Sequence, residues 1–117
     1  MCIRDRTATV RELLFCANVG EYLHGFALYS DRYLFQFMDE TGLTLGEFRA
    51  EFDSAHAREA NDWTRLSHLG DVRRLDDGRA TAVVTYVDGD QPGGAERYTF
   101  EFSADRGIWL IDDIAQV

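Results

Sequence analysis

The sequence has little cysteine, a single proline and no long apolar run. Its 117 residues include two cysteines, Cys2 and Cys16, which are too few for a disulfide framework and lack the spacing of a metal motif. No apolar run approaches the roughly 20 residues of a membrane-spanning helix. No basic segment followed by an apolar one indicates a signal peptide. These absences predict a reducing compartment, and therefore a cytoplasmic protein.

Sequence motifs for several kinds of chemistry are also missing. There is no G-x-S-x-G, Walker or G-x-G-x-x-G pattern, which argues against serine hydrolase, nucleotide-phosphate and dinucleotide chemistry. No histidine and carboxylate set has ligand spacing, so we expect no metal and no cofactor. The formal net charge of −9 gives a surface that repels phosphates and anionic lipids. Nucleic acid and membranes are therefore not expected partners.

The length of the chain fits one domain with one hydrophobic core. The first six residues, MCIRDR, resemble a translated sequencing-adapter junction of the kind seen at the ends of assembled environmental (metagenomic) sequences. We therefore interpret residues 1–6 as a non-native tail and exclude them from fold reasoning. Residues 7–117 are expected to form the single domain.

The first half of the chain has helical periodicity. Residues 7–18 predict one amphipathic helix, and a second begins near Glu21. The second can start again at Ser30 or Asp31, either of which could act as an N-cap, and Gly42 ends it. Thr44 and Glu47 have the spacing of a capping box that opens a further helix, with Phe48, Phe52 and Ala55 on its buried face. One aromatic stripe follows the second helix: Tyr22, Phe26, Tyr29, Tyr33 and Phe37.

The second half of the chain has the two-residue period of strands. We predict four strands, at about 63–75, 79–88, 96–103 and 108–116. LDDG at 75–78 and ADRG at 104–107 predict hairpin turns, and DGDQPGG at 88–94 predicts a longer loop. Helices followed by an antiparallel meander indicate an α+β fold, with the helices on one face of a curved sheet.

Two segments carry a family resemblance. They are NVGEYLHGFALYSDRY at 18–33 and GIWLIDDI at 107–114, with Gly20-Glu21, ALYSD at 27–31 and W-x-I-D at 109–112 as the cues. Together they resemble the nuclear transport factor 2-like superfamily, above all its SnoaL-like, polyketide-cyclase-like branch. The resemblance implies a cone-shaped sheet of four or more antiparallel strands wrapped around N-terminal helices, an apolar pocket and a homodimer. That family often has a short strand after the second helix, where residues 33–38 here have a helical pattern.

Hairpin register predicts which polar side chains share a face with the apolar wall. A three-residue loop at 76–78, with Gly78 left-handed, pairs Leu75 with Arg79 and places His68 opposite Tyr86. The expected face also carries Leu66, Val72, Ala82 and Val84. A two-residue loop would shift the pairing by one residue and break this arrangement.

The second hairpin predicts a carboxylate among apolar residues. A three-residue loop at 105–107 pairs Phe102 with Leu110, Phe100 with Asp112 and Tyr98 with Ile114. Burial would raise the pKa of such a carboxylate towards the range of a general acid or base. Asp112 is therefore the first catalytic candidate, with His68 and Tyr86 as partners. The expected pocket residues are Tyr22, Phe26, Tyr29, Tyr98, Phe100 and Leu110.

Other interpretations of these residues stay open. Asp112 could be hydrated or paired with an arginine, a one-residue slip would exchange it with Asp113, and His68 could be a hydrogen-bonded rim residue. Trp109 and Ile111 would make the opposite sheet face partly apolar, which favours a covered or dimeric sheet. The expected function is the binding of a small hydrophobic molecule. The alternatives are a cofactor-independent isomerase, cyclase or hydrolase, and a structural domain whose aromatic residues fill the core.

Overall fold

The computed structural model of the chain describes residues 6–53, 59 and 62–117. Within them the fold is α+β, with four helices followed by one four-stranded antiparallel sheet. The helices are α1 (Arg6–Asn18), α2 (Tyr22–Phe26), α3 (Asp31–Thr41) and α4 (Leu45–Asp53); the strands are β1 (Thr64–Arg74), β2 (Ala80–Asp88), β3 (Gln91–Ser103) and β4 (Ile108–Gln116). None of the described helices is long and apolar enough to cross a membrane.

The helix boundaries follow the predicted caps. Ser30 is the N-cap of α3 and accepts a hydrogen bond from the Tyr33 backbone N–H at 3.2 Å, so the aromatic stripe is divided between α2 and α3. Gly42 ends α3 with φ of 70°, a left-handed conformation that glycine adopts without a Cβ penalty. The Thr44–Glu47 capping box is present, with its reciprocal hydrogen bonds at 3.0 and 3.2 Å. Residues 33–38 lie within α3, as their pattern predicted.

Part of the buried face predicted for α4 lies outside the described residues. Phe48 is buried, at 3% exposure, as predicted. Ala55 lies outside the described residues, and the Phe52 side chain is not described.

The sheet is a simple meander in the order β1-β2-β3-β4. The first hairpin has the predicted turn, because the Leu75 N–H donates to the Arg79 carbonyl at 2.8 Å and Gly78 has φ of 89°. The loop predicted at 88–94 is shorter than expected. β3 already starts at Gln91, and Pro92 lies at a register shift beside Val87, where a missing N–H is tolerated.

The register predicted between β1 and β2 is wrong beyond the turn. Two register shifts interrupt β1, one between Gly70 and Arg73 and one between Leu66 and His68. Asp71 has φ of 49° within the first of them. Each shift moves the following side chains relative to β2. His68 therefore pairs with Thr85 and not with Tyr86, and its side chain is exposed.

The face predicted for β1 changes with this register. Leu66, which pairs with Tyr86, and Leu69 pack against the core, whereas Val72 is 47% exposed. The apolar set predicted on β2 is confirmed, since Ala82, Val84 and Tyr86 are all buried.

The register predicted between β3 and β4 is correct only at its far end. Tyr98 pairs with Ile114, as expected. The turn, however, has four residues, 104–107, so that Phe102 pairs with Trp109 and Phe100 with Ile111. The ladder recovers its register by skipping Asp112, which is the extra residue of a β-bulge. The predicted pairing of Phe100 with Asp112 is therefore wrong.

The core lies between the sheet and the helices. Its buried cluster joins Val10 of α1 to residues of β2, β3 and β4: Ala82, Val84, Tyr86, Tyr98, Phe100 and Ile111. Ile111 is completely buried beside Phe100, and Trp109 packs against Phe102 with ring centroids 5.3 Å apart. The prediction that Trp109 and Ile111 lie on the face opposite the core is wrong. The turn has one residue more than predicted, which places both side chains on the core face.

Backbone hydrogen bonds tie the helical half to β4. The Ile111 N–H donates to the Leu28 carbonyl at 2.7 Å, and the Ser30 N–H donates to the Ile111 carbonyl at 2.8 Å. Tyr29 and Ile111 thus form a parallel bridge beside β4. Two residues earlier on the strand, the Thr9 hydroxyl donates to the Trp109 carbonyl at 2.8 Å. These contacts hold α1 and the start of α3 at fixed positions against the sheet.

Candidate functional site

A cavity of about 670 Å³ opens between α1, α2, α3 and the sheet. We call it the aromatic cavity, because six rings line it together with Leu13, Leu14 and Ala17 of α1 and the glycine-rich start of β3. The rings are those of Tyr22, Phe26, Tyr29, Phe37, Tyr86 and Tyr98. A cavity of this size and apolar character is typical of small-molecule sites.

The aromatic residues of the helices pack on one another at one side of this space. Phe26 lies at the centre of the group, with ring centroids 5.5 Å from Tyr29, 5.4 Å from Phe37 and 5.3 Å from Phe48. Tyr33 packs edge-on against Tyr29 at 4.8 Å. Four residues of the stripe thus form a continuous aromatic wall and still leave the cavity beside it: Phe26, Tyr29, Tyr33 and Phe37.

Most of the expected pocket residues line the aromatic cavity. Tyr22, Phe26, Tyr29 and Tyr98 do so, as does Tyr86, which the sequence proposed as a catalytic partner. Two expected pocket residues lie elsewhere. Phe100 is fully buried in the core, and Leu110 lines a separate cavity beside the β3–β4 hairpin, because the bulge at Asp112 reverses the alternation of β4.

A chain of hydrogen-bonded polar groups faces the aromatic cavity. The Tyr86 hydroxyl donates to Glu96 Oε1 at 3.0 Å and lies 2.5 Å from the Tyr98 hydroxyl. Burial, with the neighbouring Tyr98 and Glu96, raises the pKa of Tyr86. Burial also raises the pKa of Tyr98 to about 12, against the lowering effect of its hydrogen bond with Tyr86. Both hydroxyls therefore stay protonated at neutral pH.

Glu96 was not among the residues predicted for the site. Among the described residues that line the aromatic cavity, it alone has an acidic or basic side chain. The signal was present in the sequence, since Glu96 alternates with Tyr98 and Phe100 at two-residue spacing and therefore shares their face. Its cross-strand partner Gln116 also lines the cavity.

Asp112 does not line the aromatic cavity. The Ser30 hydroxyl donates to its Oδ1 at 2.6 Å, Arg32 Nε donates to Oδ1 at 3.2 Å, and Arg79 Nη1 donates to Oδ2 at 3.0 Å. Arg32 Nη2 also reaches both Oδ2, at 3.2 Å, and the Asp112 carbonyl. Burial alone would raise the pKa of Asp112, but the hydrogen bonds from Ser30, Arg32 and Arg79 outweigh it and lower the pKa.

These contacts give Asp112 the environment of a structural ion pair. The carboxylate is 4% exposed and two arginines neutralise it, which is the arginine pairing that the sequence left open. The lowered pKa is opposite to the shift expected for a lone carboxylate on an apolar wall. The network joins the N-terminus of α3 to β2 and β4.

Among the described residues, no hydrogen bond or ion pair joins His68 to either polar group. It lies on β1 with its side chain exposed and folded over Gly70, where an added Cβ would come within 2.5 Å of His68 Nε2. The structure thus brings Tyr86 to the aromatic cavity but places Asp112 and His68 outside its lining. In the part of the chain that the structure describes, no group of three or more histidine, cysteine, aspartate or glutamate side chains could hold a metal ion.

Comparisons of the chain with protein-family models, with curated proteins and with solved structures find no match in any of the three.

Proposed function

We propose that the aromatic cavity binds a small, largely apolar molecule. The observation that carries this proposal is a cavity of about 670 Å³ whose lining combines six aromatic rings with one short chain of hydrogen-bonded polar groups. Apolar walls provide most of the affinity of such sites, and a few polar groups set the orientation of the ligand. The Asp112 network lies outside the lining, so this proposal gives it a supporting role only.

The same proposal extends to the family and the shape of the fold. The α+β order of the elements and the helices packed against one side of an antiparallel meander support a nuclear transport factor 2-like, SnoaL-like domain. In that family the sheet is a cone around an apolar pocket. We propose this relationship and the homodimer that it implies on the strength of the sequence resemblance.

A proton-transfer enzyme is the second candidate function. One observation favours it: Glu96 and the hydroxyls of Tyr86 and Tyr98 form a connected set beside an apolar space, where a carboxylate could accept a proton from a bound molecule. In this version Glu96 takes the role that the sequence suggested for Asp112. Binding is the better-supported function because it requires only the cavity.

Filling the cavity tests the binding proposal. Cyclohexylmethanol, a neutral and mostly apolar probe, should shift the backbone amide resonances of Gly93, Gly94 and Ala95, which line the cavity. Ala17→Phe adds a ring at the α1 wall and should weaken this binding by about tenfold or more, because overpacking leaves less room for the probe.

Ala50→Phe is the matched control, since Ala50 is an exposed helical alanine on α4 outside the cavity lining. Its affinity for the probe should equal that of the unmodified chain. Absence of binding to the unmodified chain, by this probe and by its cationic and anionic analogues alike, would contradict the proposal. Equal affinity in all three proteins, with their circular dichroism spectra unchanged, would also contradict it.

A further inference from the structure

The donor and the acceptor of each hydrogen bond between Tyr98, Tyr86 and Glu96 can be assigned. The Glu96 carboxylate can only accept hydrogen bonds, so the Tyr86 hydroxyl must donate its single proton to Glu96 Oε1. In the short contact between the two tyrosines, Tyr98 must then be the donor and Tyr86 the acceptor. Both hydroxyl protons are used within the chain Tyr98–Tyr86–Glu96.

What the chain Tyr98–Tyr86–Glu96 leaves available to a ligand is therefore acceptor capacity. Glu96 Oε2 makes no hydrogen bond among the described residues, and the Tyr98 oxygen has lone pairs that its own donation leaves unused. The side-chain carbonyl of Gln116, on the strand beside Glu96, adds an acceptor at the same wall. A ligand group that donates hydrogen bonds therefore fits Glu96 and Tyr98, which have acceptors to offer and no free proton.

The charge of the cavity lining favours a cationic hydrogen-bond donor over a neutral one. No arginine pairs with Glu96 in the part of the chain that the structure describes, whereas Asp112 has two arginine partners. No described basic side chain lines the aromatic cavity. A cation would therefore meet one uncompensated carboxylate and the electron-rich faces of aromatic rings, both of which attract it.

We propose that the ligand of the aromatic cavity is a small apolar amine that binds as its ammonium cation. Its nitrogen donates to Glu96 and to the oxygens of Tyr98 and Gln116, and its hydrocarbon part lies against the rings and the α1 leucines. This inference depends on the proposed binding function and adds the chemical class of the ligand. A carboxylate or phosphate ligand is disfavoured, because it would place a second negative charge beside Glu96 with no described cation in the lining.

Three probes with one hydrocarbon skeleton test the inference at neutral pH. They are cyclohexylmethylamine, which is a cation, cyclohexylmethanol, which is neutral, and cyclohexanecarboxylate, which is an anion. Titrations followed by amide shifts at Gly93, Gly94 and Ala95 should show the amine binding about tenfold more tightly than the alcohol, because it adds a charge-assisted hydrogen bond. The anion should bind more weakly than the alcohol.

Substitution of Glu96 tests whether this carboxylate causes the preference for the amine over the alcohol. Glu96→Gln keeps an acceptor for Tyr86 and removes the charge, so the amine and the alcohol should then bind within about twofold of each other. Glu101→Gln is the matched control: it removes an exposed negative charge from the same strand outside the cavity lining, and it should leave the tenfold preference intact. An equal loss in both variants would assign the preference to the overall acidity of the chain and overturn the inference.

The outcomes separate this inference from the proposed function. If cyclohexylmethanol binds and the amine binds no better, the ligand class is wrong and the binding function stands. If none of the three probes shifts the cavity amides, both are wrong. The comparison of probes on the unmodified chain needs no substitution, so it decides the matter even if Glu96→Gln does not fold.

Discussion

Two carboxylates of neighbouring strands, Asp112 on β4 and Glu96 on β3, lie in contrasting surroundings. Asp112 is almost fully buried and accepts hydrogen bonds from Ser30, Arg32 and Arg79, which come from two other parts of the fold. Glu96 is half-buried, and its described partner is the neutral hydroxyl of Tyr86. Asp112 is paired with two arginines, whereas Glu96 has no described cationic partner and one carboxylate oxygen without a described hydrogen bond.

The contrast separates a structural carboxylate from one that is available for binding. A buried charge that has all of its partners stabilises a particular packing of elements, and removing it leaves those partners unsatisfied. A carboxylate at the wall of an apolar cavity, without a cation, can exchange water for a ligand. The apolar sheet face predicted around Asp112 made it the first candidate, whereas the observed partners of each carboxylate favour Glu96 as the binding residue.

Asp112→Asn, which removes the structural carboxylate, should have the largest effect on stability. The substitution removes the charge that Arg32 and Arg79 share, and we expect it to lower the free energy of unfolding by about 2–3 kcal/mol. Both arginines are partly exposed and can regain water, which keeps the loss below that of a fully buried pair. Urea unfolding at neutral pH measures the effect. Asp113→Asn, at the adjacent half-exposed residue, is the control and should change stability little; a gain in stability for Asp112→Asn would contradict the structural role.

The second-largest expected effect is a loss of stability at acidic pH, because protonation of Asp112 weakens its network. The pKa of Asp112 is lower in the folded chain than its ordinary value, so the network stabilises the fold above about pH 4. This contribution is lost as the pH falls below about 4 and through the folded pKa, where the carboxyl group takes up a proton. Urea unfolding at a series of acidic pH values should show a steeper loss for the unmodified chain than for Asp112→Asn. Parallel curves for the two proteins would show that Asp112 does not contribute to acid sensitivity.

The tyrosines of the aromatic cavity should give the smallest effect, at alkaline pH. Burial raises the pKa of Tyr29 and Tyr86, and that of Tyr98 to about 12, whereas unfolded tyrosine ionises near pH 10. Stability should therefore be unaffected by these groups below about pH 10 and fall above it, because the unfolded chain then loses protons that the folded chain retains. The ultraviolet absorbance of tyrosinate measures the ionisation of these hydroxyls. Titration of all five tyrosines near pH 10 in the folded protein would contradict the burial of Tyr29, Tyr86 and Tyr98.

Local signals in the sequence predicted much of the fold. The Ser30 cap, the Gly42 stop, the Thr44–Glu47 box and the LDDG turn depend on residues close together in the chain, and each is present. The bulges in β1 and β4 could not be read in this way. The one at Asp112 sits where β4 also bonds to residues 28–30 and where Arg32 and Arg79 converge, and such contacts join distant parts of the chain.

The candidate site was predicted in its aromatic part but not in its polar part. Helical spacing placed Tyr22, Phe26 and Tyr29 on one stripe, and all three line the cavity. The error in the polar part came from extra residues in both hairpins, two along β1 and one in the β3–β4 turn, each of which changes the facing of the side chains up to the next irregularity. Strand alternation counted from Tyr98 would have identified Glu96 without any knowledge of the turns.

The parallel bridge between Tyr29 and Ile111 has a consequence for how copies of this chain could meet. The Leu28 carbonyl and the Ser30 N–H occupy the N–H and the carbonyl of Ile111 on the free side of β4, so a foreign strand cannot pair with the sheet at that residue. At the opposite border, β1 carries Arg65, Asp71, Arg73 and Arg74 and two irregular steps, which discourage the same kind of addition. Strand addition is thus opposed at Ile111 by the chain's own backbone and along β1 by charge and irregular pairing, which favours a face of the sheet over its edges for self-association.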